Sequence, residues 1–151
     1  MAGSLPIYEL RTKEEDGKLY VWGELRKRYL FLTPEEHVRQ CLVQHLLQTI
    51  QVPKGLISIE RGLTYNSRQK RYDLLVFDRD GQPLLACECK APQIDIDEKT
   101  AFQLAVYNQK IGAPLLLLTN GRELHCYRKN SKGGFAPLPA IPAFEDMLLD
   151  S

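Results

Sequence analysis

A chain of 151 residues with 20 basic and 19 acidic side chains has a formal net charge of +1. No global field draws it to a polyanion, and any attraction to nucleic acid must come from local patches. The length fits one domain over residues 1–151, and no apolar run approaches the roughly 18 residues a membrane helix needs. Met1-Ala-Gly-Ser-Leu-Pro carries no secretory signal pattern, so the expected location is the cytoplasm.

Residues 1–18 are polar and unpatterned, which predicts an irregular arm or a weak edge strand. Leu19-Tyr-Val-Trp22 reads as a short strand, and the basic Arg26-Lys-Arg28 leads through Tyr29-Leu-Phe-Leu32 into a helix start. At that start Thr33 suits the N-cap and Pro34 the first helical position. Glu36 stands where a capping-box carboxylate reaches back to the cap amide. Val38, Cys41, Leu42, Leu46 and Ile50 then recur at helical spacing, until Pro53 and Gly55 end the pattern. Residues 56–60 read as a strand and residues 61–70 as a polar turn feeding the next segment, and Arg68, Lys70 and Arg71 make that entry locally basic.

That segment is a β-hairpin. Apolar runs at residues 74–77 and 84–87 flank Asp78-Arg-Asp-Gly-Gln-Pro83, where Asp-Gly is a strong turn signal. Side chains alternate along the second strand, so Glu88 and Lys90 share one face and Cys87 and Cys89 the other. Asp73 falls near the open end of the hairpin, opposite Glu88 or Lys90.

Asp97 is a helix N-cap candidate, with Ala101, Leu104, Ala105 and Ile111 on one face and Phe102 and Val106 widening the apolar stripe. Gln103 and Tyr107 lie on a polar face. Gly112 stops this helix, and Ala113-Pro-Leu-Leu-Leu-Leu118 is the unbroken apolar run of a central strand covered on both sides, parallel to a neighbour. Residues 123–127 alternate as another strand. Residues 129–151 are rich in Gly, Pro and Ala and predict an irregular tail with one last helical turn. The four cysteines, Cys41, Cys87, Cys89 and Cys126, fall in apolar patterns that suit a reducing compartment, and with His125 they lack the spacing of a zinc site.

Phosphodiester hydrolysis needs a divalent cation to polarise the phosphate and acidify a water, and Mg²⁺ is held by one or two carboxylates plus substrate oxygens. Asp73 and Glu88 can supply that pair, with Lys90 orienting the attacking water or offsetting charge on the phosphate. Spacing alone leaves an equal alternative: Asp73 ends an edge strand, and Glu88 and Lys90 are solvated residues on a half-exposed sheet.

Asp73 followed by Glu88-Cys-Lys90 resembles the PD-(D/E)xK nuclease superfamily with its restriction-endonuclease-like fold. Leu32-Thr-Pro-Glu-Glu-His-Val-Arg-Gln40, Glu-Cys-Lys-Ala-Pro92, Gln103-Leu-Ala-Val-Tyr107 and Thr119-Asn-Gly121 together resemble the N-terminal nuclease domain of type I restriction enzyme R subunits. The resemblance covers roughly residues 20–128 and implies an α/β fold with a central mixed β-sheet flanked by helices. It further implies a Mg²⁺-dependent DNA endonuclease, Mn²⁺ substituting, in which Asp73 and Glu88 ligate the metal, Lys90 is catalytic and Glu36 joins the site. Gln103 and Tyr107 match the family's QxxxY element, implying DNA contact or support of the site, and Arg68 and Arg71 would flank the same cleft.

The blander readings stay open: Glu36 as a pure capping residue, Gln103 and Tyr107 as the polar side of a helix, and the basic groups as solvated faces. Tyr72 stands where the motif's proline would be, and the chain contains no G-x-x-x-x-G-K-[ST] phosphate loop, so it is not expected to drive ATP-dependent restriction alone. DNA, other restriction-system subunits and a second copy of the chain are the expected partners. A catalytically inactive module that keeps the nuclease fold and binds nucleic acid or a partner protein is the competing function.

Overall fold

A computed structural model describes residues 2–60, 64–65, 68–69 and 72–149. Its first elements are β1 (Thr12–Glu15), β2 (Lys18–Gly23) and β3 (Arg28–Phe31), an antiparallel sheet of their own. Asp16 and Gly17 both take positive φ, 53° and 76°, and close the β1–β2 hairpin with the two-residue loop whose twist matches paired strands. The weak edge strand expected before residue 18 is therefore one arm of a hairpin.

Residues 2–10 are not a free arm. Main-chain bonds tie Ala2 and Gly3 to Leu124 and Leu5 to Gly121, and Leu5 is buried in the core.

Helix α1 (Pro34–Gln48) begins as its sequence predicts, with the Glu36 amide donating to Thr33 Oγ1 at 3.0 Å. The reciprocal half of the capping box does not form, because the Glu36 carboxylate accepts from Arg39 and Gln40 instead. After a short 3₁₀ turn come β4 (Ile57–Ile59), a two-stranded ribbon of β5 (Thr64–Tyr65) and β6 (Arg68–Gln69), and the predicted hairpin of β7 (Leu74–Phe77) and β8 (Pro83–Cys89). Asp78 builds the hairpin turn: its Oδ1 accepts from the amides of Asp80 and Gln82.

Helix α2 (Glu98–Asn108) is capped by Asp97, which accepts from the Thr100 amide and hydroxyl. It stops three residues before Ile111 because the buried Asn108 side chain closes the following turn, exchanging two hydrogen bonds with the main chain of Ala113. Strands β9 (Leu115–Thr119) and β10 (Leu124–Lys129) follow, then β11 (Phe135–Leu138) and α3 (Phe144–Leu149). The predicted irregular tail thus contains an edge strand, paired antiparallel with β10. Pro137 is tolerated there because one side of an edge strand needs no donor.

The main sheet has the order β11-β10-β9-β8-β7-β4 and is mixed, β8 and β9 running parallel and the other neighbours antiparallel. Leu115 and Leu117 pack with Val38, Leu42 and Leu46 of α1 on one face; Leu116 and Leu118 pack with Leu104 of α2 on the other. The unbroken apolar run of β9 is therefore covered on both sides, as a buried parallel strand must be. Phe102 and Val106 do not widen the apolar stripe of α2: they are 68% and 45% exposed. Among the described residues no helix is long and apolar enough to cross a membrane.

Candidate metal and phosphodiester site

Alternation along β7 breaks where the hairpin opens. Tyr72 and Leu75 pack on the α2 side and Leu74 on the α1 side, while Asp73 bends toward α1 as well. The Asp73 amide donates to the Cys87 carbonyl at 2.8 Å, and its Oδ2 accepts the Cys89 amide at 2.7 Å. A side-chain carboxylate thus stands in for a main-chain carbonyl at the point where β7 and β8 part. The amide it accepts belongs to the peptide that follows Glu88, so the Asp73 carboxylate meets β8 at that point, while Cys87 and Cys89 lie in the α1-side cluster and Glu88 alternates to the other face.

Asp73 is fully buried, and its Oδ1 accepts twice from Arg39, from Nε at 3.0 Å and from Nη2 at 2.8 Å. Arg39 also donates to Glu36 Oε1 at 2.6 Å and to Glu35 Oε2 at 2.8 Å. Burial works against the Arg39 charge, but the carboxylates of Asp73 and Glu36 outweigh it and hold its pKa above the ordinary arginine value. Gln40 completes the helix side: its Nε2 donates to Glu36 Oε2, and its buried Oε1 has no hydrogen-bond partner among the described residues. Such an oxygen suits an ordered water.

On the other strand, Glu88 is 8% exposed and Lys90 Nζ lies 3.2 Å from Glu88 Oε1. The Lys90 main chain is fixed by its amide donating to Thr119. Asn120 and Arg122 hold residues 91–95 in place, Asn120 Nδ2 donating to the Ile94 carbonyl and Arg122 Nε to that of Pro92. The Thr119-Asn-Gly121 segment is thus structural, bracing the chain that leaves β8.

The structure therefore joins Glu36 to Asp73 through Arg39 and pairs Glu88 with Lys90. Tyr107 packs against Tyr72 at a centroid distance of 5.6 Å, and burial pushes the Tyr72 hydroxyl up to about 12, helped by Glu60 and Tyr107. Gln103 is exposed on α2. Arg71 and the side chain of Arg68 lie outside the described residues. A cleft of about 390 Å³ between α2 and the β10–β11 hairpin contains none of these charged groups.

Arg39 and Gln40 are the site residues that spacing did not reveal. A signal existed: two polar residues interrupt the buried stripe between Val38 and Cys41.

Four carboxylates, from Glu35, Glu36, Asp73 and Glu88, face the cations of Arg39 and Lys90, with Arg26 at the margin in the field of Glu36. Carboxylate oxygens are the hard donors that Mg²⁺ prefers. Among the described residues no three His, Cys, Asp or Glu groups converge as a cage. Asp73 and Glu88 are carboxylates of the type that Mg²⁺ takes, and Arg39 and the Cys89 amide already engage both oxygens of Asp73. The buried thiols of Cys87 and Cys89 are pushed well up by burial, with the Asp73 charge adding to it, and remain protonated packing groups.

Residues 34–142 match the family described as type I restriction enzyme R protein N terminus. A fragment structure assigned as an HsdR subunit of a type I restriction enzyme from Vibrio vulnificus YJ016 superposes with a TM-score of 0.56 at 20% identity, over 79% of this chain and 26% of that one. A protein from Anabaena variabilis ATCC 29413, assigned as a nuclease of the DUF820 group, gives a TM-score of 0.46 at 16% identity over 94% of this chain and 87% of its own. No curated protein sequence matches the chain.

Proposed function

Because the chain belongs to the family of type I restriction enzyme R protein N-terminal domains, we propose that it is a metal-dependent nuclease domain that hydrolyses DNA phosphodiester bonds at Asp73, Glu88 and Lys90. The observation that carries this reading is the buried Asp73 carboxylate, held by the peptide that follows Glu88, next to the Glu88–Lys90 pair.

In this reading Asp73 and Glu88 hold the Mg²⁺. When bound, it supplies Lewis acidity to the phosphate and lowers the pKa of a water. Arg39 and the Cys89 amide fix the Asp73 carboxylate before any substrate arrives, which removes reorganisation from the reaction. Lys90, as a compact ammonium beside Glu88, orients the attacking water and offsets charge that develops on the phosphate oxygens. Glu36 acts through Arg39 and positions Asp73. Tyr107 supports the Tyr72 end of β7, and Gln103, exposed on α2, is the residue this reading assigns to DNA contact. DNA and other subunits of a restriction system are the partners this reading implies.

One observation favours a second reading, a catalytically inert module that keeps the fold. Three hydrogen bonds already satisfy Asp73, and Arg39 supplies a cation there. Calorimetric titration with Mg²⁺ or Mn²⁺ separates the two. The nuclease reading predicts saturable binding to the wild type that is lost in Asp73→Asn and in Glu88→Gln; absence of binding to the wild type supports the inert module.

A further inference from the structure

The sheet of β1, β2 and β3 lies before residue 34, where the family match begins, so the family leaves it unassigned. Its register sets Tyr20 opposite Phe31 and Trp22 opposite Tyr29. Residues directly opposite in an antiparallel pair share a face, so four rings gather on one side. Lys13 stands opposite Tyr20, and the Arg11 carbonyl accepts the Trp22 amide, which brings two cations to the same side. The other side carries Val21, fully buried, opposite Leu30.

The rings meet edge to face, Tyr20 with Phe31 at 6.1 Å and Trp22 with Tyr29 at 5.2 Å. Above them the Arg11 guanidinium lies 4.8 Å from Trp22 and 5.6 Å from Tyr29, and the Lys13 ammonium 4.4 Å from Tyr29. Phe31 is 56% exposed, while Arg11, Lys13 and Lys18 are all exposed. Charge on this face is unequal, since those three cations meet one anion, Glu15, paired with Lys13 at 2.9 Å. An exposed Phe31 beside three half-buried rings, under a basic fringe, complements a polymer that has flat apolar faces and regularly spaced negative charge.

We propose that this aromatic and basic face binds single-stranded nucleic acid, an unpaired base stacking on Phe31 and its neighbours packing along the half-buried rings, with the phosphates meeting Arg11, Lys13 and Lys18. Duplex DNA hides its base faces and fits less well. The binding goes beyond the nuclease reading and stands without it.

Trp22 is the chain's single tryptophan and reports from within the face. Titrating the full chain with a dT15 or rU15 oligonucleotide in EDTA, where no hydrolysis can occur, is expected to quench Trp22 emission saturably. Three phosphate contacts predict a loss of about twenty-fold in affinity between 50 and 200 mM salt. Anisotropy of a labelled oligonucleotide reads the variants: Phe31→Ala, at an exposed position that folding does not need, is expected to weaken binding about ten-fold or more. Lys13→Ala weakens it and flattens the salt dependence. Comparison of dT15 with rU15 tells DNA from RNA, and either partner supports the proposal. Absence of quenching, or wild-type affinity in both variants, overturns it. So does a Phe31→Ala variant that changes only the sedimenting mass, which would assign the face to a second copy of the chain.

Discussion

Arg39 is where the site is most exposed to a single change. Its guanidinium serves Glu35, Glu36 and Asp73 at once and is almost wholly buried. Removing it leaves a buried carboxylate without its cation, so Arg39→Ala is expected to cost about 3–5 kcal/mol by chemical denaturation. Arg39→Lys keeps the charge but cannot reproduce the fork, and should recover only part of that loss. Equal stability of all three proteins would show that Asp73 does not depend on the clamp. The sequence concealed this role because a basic residue four after Glu35 and three after Glu36 reads as an ordinary exposed helix pair. By contrast the hairpin that carries Asp73, Glu88 and Lys90 was legible from its Asp-Gly turn and flanking apolar runs, while the break in alternation at Asp73 was not.

At the scale of elements, strands and helices whose residues alternate or recur were readable, and elements held by distant partners were not. The run at residues 115–118 announced a strand covered on both faces. Residues 2–10 carry no such pattern, because what orders them is docking: Leu5 enters the core, and the Tyr8 hydroxyl bonds His45 Nδ1 at 2.8 Å and Thr49 Oγ1 at 3.0 Å. Similarly, β11 was hidden by Gly and Pro in a segment whose pairing with β10 is its main order.

The docked N-terminal segment has a pH signature. Burial lowers the His45 pKa below its ordinary value, so the folded protein binds fewer protons there than the unfolded chain once pH falls below about 6.5. The His45 contribution to stability is complete above the unfolded pKa and is lost as pH falls from there toward the folded one. Thermal melting should therefore drop between pH 7.5 and pH 5.5, with a smaller drop in His45→Asn. An identical pH slope in the two proteins would contradict the buried, neutral histidine.

For the molecule as a whole, the mixed sheet does two things at once. Its centre is sealed by α1 and α2, and its β7 and β8 strands part where the charged groups gather, so the core holds those groups at a strand end. This chain spans 26% of the HsdR fragment structure it resembles.

The most direct measurement is cleavage of supercoiled plasmid, single-stranded and branched DNA by the purified chain in Mn²⁺ and in Mg²⁺, beside Lys90→Ala. The account predicts cutting of at least one of these DNAs, abolished by EDTA and reduced at least a hundred-fold in Lys90→Ala, in line with loss of a group that acts on the transition state. Intact DNA in every arm, or a Lys90→Ala protein that cuts as fast as the wild type, would contradict it.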